Sequence, residues 1–129
     1  MNYYSVLDSA QAVDFEEVHK LLVSFINKAV VKEKRKRWIE LSRNPQKLYK
    51  KFNGLWNSLD FKTLNKSENL ELEEQNYIYY NLYESGFLLG KTKAEQVCPG
   101  RDGFLFGLKT KDVYFLTHES IYYQIKIED

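Results

Sequence analysis

The chain holds one cysteine, one methionine, two prolines and two histidines in 129 residues. A lone Cys98 excludes an intramolecular disulfide and a cysteine-based zinc cage. Pro45 and Pro99 stand at plausible element boundaries, and no Pro/Gly/Ser-rich linker, internal repeat or low-complexity tract separates them. No apolar run approaches the roughly 20 residues of a membrane helix. The opening stretch, Met1 to Asp8, lacks the basic and apolar regions of a secretory signal. Neither sign of charge prevails: 19 Lys and Arg meet 18 Asp and Glu, a net of +1. That balance excludes a wholly basic nucleic-acid protein and a polyanionic mimic of DNA. Walker-type phosphate loops, Rossmann glycine fingerprints, G-x-S-x-G elbows and H-E-x-x-H helices are all missing. These bounds predict a cytoplasmic protein without metal or cofactor, with residues 1–129 forming one domain.

Aromatics are what the chain has in excess: ten Tyr, eight Phe and two Trp. Each removes roughly 150–250 Å² from water when buried. Phe and Trp are read as core, whereas Tyr divides evenly between core and an exposed partner face, because its hydroxyl needs water or a partner. Composition shifts near residue 86, after which β-branched and aromatic residues alternate. The expectation is an α+β domain, helical over 1–86 with a β-meander over 87–129. Three to four N-terminal helices would pack on a C-terminal antiparallel sheet of three to four strands.

The first helix is predicted to start at Asp14, with Glu17 completing a capping box. Phe15, Val18, Leu22, Phe25, Ile26 and Ala29 then recur at three- and four-residue steps as one apolar stripe. Whether residues 14–43 form one helix or two is open on the pattern alone. Asn44-Pro45 restarts a helix, Asn as cap and Pro in the first turn. Leu48, Phe52, Leu55, Trp56 and Leu59 give the strongest helical stripe, with Leu48 and Trp56 expected in the core. A further helix over about 68–85 is predicted from Ser67 as cap, Glu68, Glu71, Glu73 and Glu74 in the first turns and Gly86 as stop. The run Tyr77–Tyr83 within it has strand-like composition. Beyond Gly86, strands are expected at 87–89, 104–108, 113–116 and 121–127, with a turn at Pro99-Gly100. In the last strand Ile121, Tyr123, Ile125 and Ile127 would face the core, and Tyr122, Gln124 and Lys126 water.

Three residues invite a search for chemistry. His19 and His118 would suit acid–base cleavage of RNA, where a 2′-hydroxyl loses a proton as the leaving oxygen gains one. Cys98, beside Arg101, would suit a thiolate nucleophile with His118 as base. No family signature surrounds them, so the expectation is a protein that is not an enzyme, with surface histidines and a packing cysteine. The acidic cluster at 68–74 has no histidine partner, and its members would point in different directions on a helix, which argues against a metal site.

Charge layout is the feature above background. Residues 32–51 carry nine basic residues and two acids, a net of +7, whereas residues 67–84 carry five acids and no base. Trp38, Tyr49 and Phe52 interleave with the basic pole. The poles would either be solvated and partly neutralise each other, or the basic pole would dock an acidic protein, or it would bind phosphates with counterion release. The neutral overall balance favours a protein over RNA or DNA. The residues expected to carry binding are Lys34, Arg35, Arg37, Trp38, Arg43, Lys47, Lys50 and Lys51. The size, the aromatic richness and the α-then-β order are of the kind met in small bacterial immunity and accessory proteins. The function expected is therefore a non-enzymatic protein-interaction module. A nucleic-acid-binding protein, and then a hydrolase or ribonuclease using His19, Cys98 or His118, are the alternatives.

Overall fold

A computed structural model describes residues 7–44, 46–48, 50, 56–82 and 86–127. Its centre is a seven-stranded, wholly antiparallel sheet in the order β1-β4-β3-β5-β6-β7-β2. The strands are β1 (Gln11–Val13), β2 (Asn65–Ser67), β3 (Asn76–Tyr80), β4 (Gly86–Gly90), β5 (Gly103–Gly107), β6 (Asp112–Leu116) and β7 (Tyr122–Lys126). The helices include α1 (Phe15–Ala29), α2 (Arg35–Ser42) and α3 (Lys91–Val97), and residues 46–48 and 50 are helical too. The class is α+β, but the sheet is not the expected C-terminal one of three to four strands. Three strands come from the part read as helical.

The largest correction is β3. Tyr77 to Tyr80 are all buried, Tyr77 and Tyr79 on one sheet face, Ile78 and Tyr80 on the other. A strand covered on both faces reads as a continuous apolar run, without the alternation that marks a half-wet strand. Such a run is indistinguishable from a buried helix by periodicity alone. The acidic residues 68–74 precede it in a connecting segment rather than a first helical turn, and Ser67 ends β2. There the Ser67 hydroxyl donates to the Asn69 carbonyl at 2.7 Å and accepts the Asn69 N–H at 3.1 Å. Gly86 opens β4 instead of closing a helix.

Some expectations fall where the pattern places them, but the helix expected to carry the stripe from Asn44 to Leu59 does not reach its end: residues 46–48 and 50 are helical, whereas Trp56–Ser58 is a short 3-10 turn and Leu59 forms a β-bridge. Asp14 is the N-terminal cap of α1, through its backbone carbonyl, which accepts from the Glu17 and Val18 N–H groups at 3.1 and 3.3 Å. Its side chain makes no cap bond, so the capping box does not form. Residues 14–43 are two helices. The chain leaves α1 at Val30, which is extended and forms an antiparallel bridge to Leu59. The Val31 N–H donates to the Ser58 carbonyl at 2.8 Å, and a short turn over Lys32–Lys34 leads into α2. The β-branched pair Val30-Val31 suits that extended break. Asn44 caps as expected, its Oδ1 accepting from the Lys47 N–H at 3.2 Å. Leu48 is buried, while Tyr49, Phe52 and Leu55 lie outside the described residues and nothing is described of the Trp56 side chain.

The sheet separates two cores. On one face the α1 stripe Val18, Leu22, Phe25, Ile26 and Ala29 meets Ile78, Tyr80, Phe104, Phe106, Val113 and Phe115, with Trp38, Leu41 and Leu48 closing the layer. Phe25 lies edge-on to Phe104 at 5.3 Å between centroids and stacks on Phe115 at 6.1 Å. On the other face α3 and the 70–72 segment cover Tyr77, Tyr79, Leu105, Tyr114, Leu116 and Tyr122. Tyr122, expected in water, is therefore in the second core. The even division of Tyr between core and exposed face gives way to core at 77, 79, 80, 114, 122 and 123.

Candidate functional site

The basic segment lies on the α1/α2 side. Lys34, Arg37, Arg43, Lys47 and Lys50, together with Lys32 and Lys36, are exposed, and Lys51 lies outside the described residues. Two expected binding residues serve the fold. Trp38 is buried beside Leu41 in the first core, so its ring is committed to packing rather than to stacking on a partner. Arg35 is half-buried, and its Nε donates to the Val30 carbonyl at 2.8 Å, closing the break between α1 and α2. Within the segment Arg37 meets Glu40 at 3.9 Å, both side chains more than half exposed. A pair so exposed contributes little.

The acidic residues Glu68, Glu71, Glu73 and Glu74 are exposed on the opposite face of the sheet, where Leu70 and Leu72 anchor their segment in the second core. Among the described residues no ion pair joins the two poles. Glu74 meets Lys91 of α3 instead, at 4.0 Å. The sheet holds opposite charges apart.

The three residues considered for chemistry are not brought together. Cys98 is fully buried in the second core at the C-terminus of α3, and burial pushes its thiol well above its ordinary value. That is the reverse of what a thiolate nucleophile needs. His19 belongs to α1, across the sheet, with Nε2 at 3.1 Å from the Ser42 hydroxyl. Burial, and then the Arg43 charge, hold its pKa below the ordinary 6.5. His118 is exposed in the β6–β7 turn, its Nδ1 at 3.0 Å from Asp102 Oδ1, and the same oxygen accepts the His118 backbone N–H at 2.9 Å. The hydrogen bond to Asp102, and then its charge, raise the His118 pKa.

A polar cleft that the sequence reading passed over lies on the acidic face. It is a cavity of about 320 Å³ bounded by the segment 67–75, the β5–β6 turn and the ends of β6 and β7. Asp112 lies in its wall and is only 6% exposed. One carboxylate oxygen accepts from the Thr110 hydroxyl, the other from Gln124 Nε2 at 2.7 Å. Gln75 locks the turn: its Nε2 donates to Thr110 Oγ1 at 3.0 Å, and its Oε1 accepts the N–H groups of Lys109 and Thr110 at 2.7 and 3.1 Å. Two tyrosines tie down the acidic segment. Tyr114 donates to the Glu71 carbonyl at 3.0 Å; Tyr77 donates to the Glu73 carbonyl at 3.0 Å and accepts the Glu73 N–H at 2.9 Å. Burial, and then the Asp112 charge, push Tyr114 up to about 12, and burial raises Tyr77, so both hydroxyls stay protonated and donate at neutral pH. The sequence signal was the polar residue at every second position, Asp112 in β6 and Gln124 and Lys126 in β7. Gln124 and Lys126 read as a wet strand face because nothing local announces the segment that roofs it.

Among the described residues no group of His, Cys, Asp and Glu is arranged to hold a metal ion, and no helix is long and apolar enough to cross a membrane. Comparison with family models, curated proteins and solved structures finds no match.

Proposed function

We propose that the chain is a non-enzymatic protein-interaction module, an immunity or regulatory subunit, that docks an acidic protein surface through its basic segment 32–51. One observation carries this reading: Lys32, Lys34, Lys36, Arg37, Arg43, Lys47 and Lys50 are exposed, and among the described residues none makes an ion pair with the acidic segment, which lies across the sheet. A merely balanced surface would interleave its signs. Trp38, Leu41 and Leu48 root the segment in the core, so the charges are presented on a fixed frame and less ordering entropy opposes docking. Burial of Trp38 also takes one aromatic away from base stacking, on which single-strand binders rely.

Such an encounter is steered by charge, so its on-rate falls as salt shortens the Debye length from about 30 Å at 0.01 M to about 10 Å at 0.1 M. The test is the triple reversal Lys36→Glu, Arg37→Glu and Lys47→Glu, which spares Arg35 and Trp38 because they hold the fold. The expected result is association with an acidic partner, captured from the native host, that slows with salt and is lost in the triple variant while its circular dichroism is unchanged. Capture that persists in the folded variant overturns the reading. So does binding of mixed-sequence oligonucleotides with log affinity falling against log salt at about 0.7–0.9 per neutralised phosphate.

A further inference from the structure

We infer that the cleft around Asp112 is a binding site for a guanidinium group, whether on a free small molecule or on an arginine side chain of a peptide.

The argument starts from the carboxylate. Asp112 is more than nine-tenths buried, yet its side-chain hydrogen-bond donors, Thr110 Oγ1 and Gln124 Nε2, are neutral. A buried carboxylate is costly without a counter-charge. Among the described residues none comes within ion-pair distance of it. A carboxylate offers about four lone-pair sites, and these two donors occupy two, one on each oxygen.

The surroundings fit one class of cation. Glu71 and Glu73 add two exposed carboxylates to the cavity lining, against the single lining cation Lys126. The carboxylates are not arranged for a metal ion. A guanidinium carries five N–H donors in a planar fork, so it reaches spread acceptors that a point charge does not. The cavity of about 320 Å³ is at the small-ligand end of known sites, which begin near 300 Å³. The frame is set in advance: Gln75 fixes the β5–β6 turn and the two tyrosine hydroxyls fix the rim.

The cleft opens on the sheet face opposite α1 and α2, so this site stands apart from the docking segment. The test is a titration followed by backbone amide NMR, with butylguanidinium as the free probe and acetyl-Gly-Arg-Gly-amide as the peptide source. Butylurea is the neutral isostere and butylammonium the point charge. Saturable shifts at Thr110, Asp112 and Gln124 with either guanidinium probe, weaker with butylammonium and absent with butylurea, are expected. The stronger of the two guanidinium probes identifies the source. Asp112→Asn should weaken binding at least about tenfold, as loss of a charge-assisted hydrogen bond does. Because that variant disturbs the buried network, two variants at exposed positions keep the test independent of folding. Glu71→Gln with Glu73→Gln should weaken binding several-fold, and Lys126→Met, which removes the competing cation, should strengthen it. Equal shifts with butylurea, binding unmoved by either surface variant, or no saturable shift with any guanidinium overturns the site.

Discussion

Tyr77 and Gly107 stand opposite each other across β3 and β5, and the space left by the missing glycine side chain is filled from the next turn. A Cβ at Gly107 would collide with Asp112 Oδ1, lie 2.5 Å from Thr110 Oγ1 and 3.0 Å from Gln75 Nε2. The glycine thus admits the polar network into the second core.

Gly107→Ala should therefore destabilise the protein by about 1–3 kcal/mol, the usual cost of overpacking a filled site. Gly90→Ala is the control. A Cβ there meets nothing within 4 Å, and φ is −78°, so its effect should be confined to the poorer helix cap that Ala makes, about 0.5–1 kcal/mol. Urea denaturation of both variants measures the difference. Equal midpoints would mean that Asp112 and Thr110 move aside freely.

How much of this was legible depends on what covers each residue. The α1 stripe, the Asn44 cap and strands β4 to β7 show periodicity or turn chemistry that acts locally, and each forms where the pattern points. β3 and α3 do not. Tyr77–Tyr80 lose their alternation because both faces are covered, a tertiary fact. Lys91–Val97 is a seven-residue helix with two buried side chains, Ala94 and Val97, too short a stripe to announce itself. β1 and β2 have three residues each and exist by pairing with β4 and β7. The basic segment was visible as a charge run, but the packing of Trp38 and the Arg35 bond to Val30 were not. The Asp112 cleft needs three segments distant in sequence, and no single one of them carries its signature.

Leu48 tests the first core. It is 2% exposed and clusters with Trp38, Leu41 and the α1 stripe. Leu48→Ala should cost about 2–5 kcal/mol, transfer plus cavity. A shift in denaturation midpoint worth less than about 0.5 kcal/mol would place Leu48 outside the core.

Cys98 tests the second core. Its thiol is fully buried, and burial keeps it protonated. A disulfide reagent such as dithionitrobenzoate should leave the native protein unmodified at neutral pH and react promptly in denaturant, because only the exposed thiolate attacks. Cys98→Ser, which buries a hydroxyl in apolar surroundings, should destabilise by about 1–3 kcal/mol without altering partner binding. Rapid labelling of the folded protein, or loss of binding at unchanged stability, would contradict the packing role.

The two histidines should titrate on opposite sides of 6.5, and the sign of each follows from its neighbours. His118 gains Asp102, so its native pKa lies above 6.5. The folded state then holds the proton more tightly than the unfolded chain, and this contribution is present below 6.5 and is lost as pH rises through the native value. His19 is partly buried and faces Arg43, so its native pKa lies below 6.5. There the unfolded chain holds the proton more tightly; the contribution is present above 6.5 and is lost as pH falls towards the native value. Proton NMR of the imidazole rings reads both values directly. Asp102→Asn keeps an acceptor for the His118 backbone N–H but removes the charge, so His118 should fall back towards 6.5 while His19 does not move. The stability difference between wild type and this variant should be larger at pH 5.5 than at pH 8. Coincident titration of the two rings, or a His118 value indifferent to the loss of Asp102, would show that the turn pairing does not persist in solution.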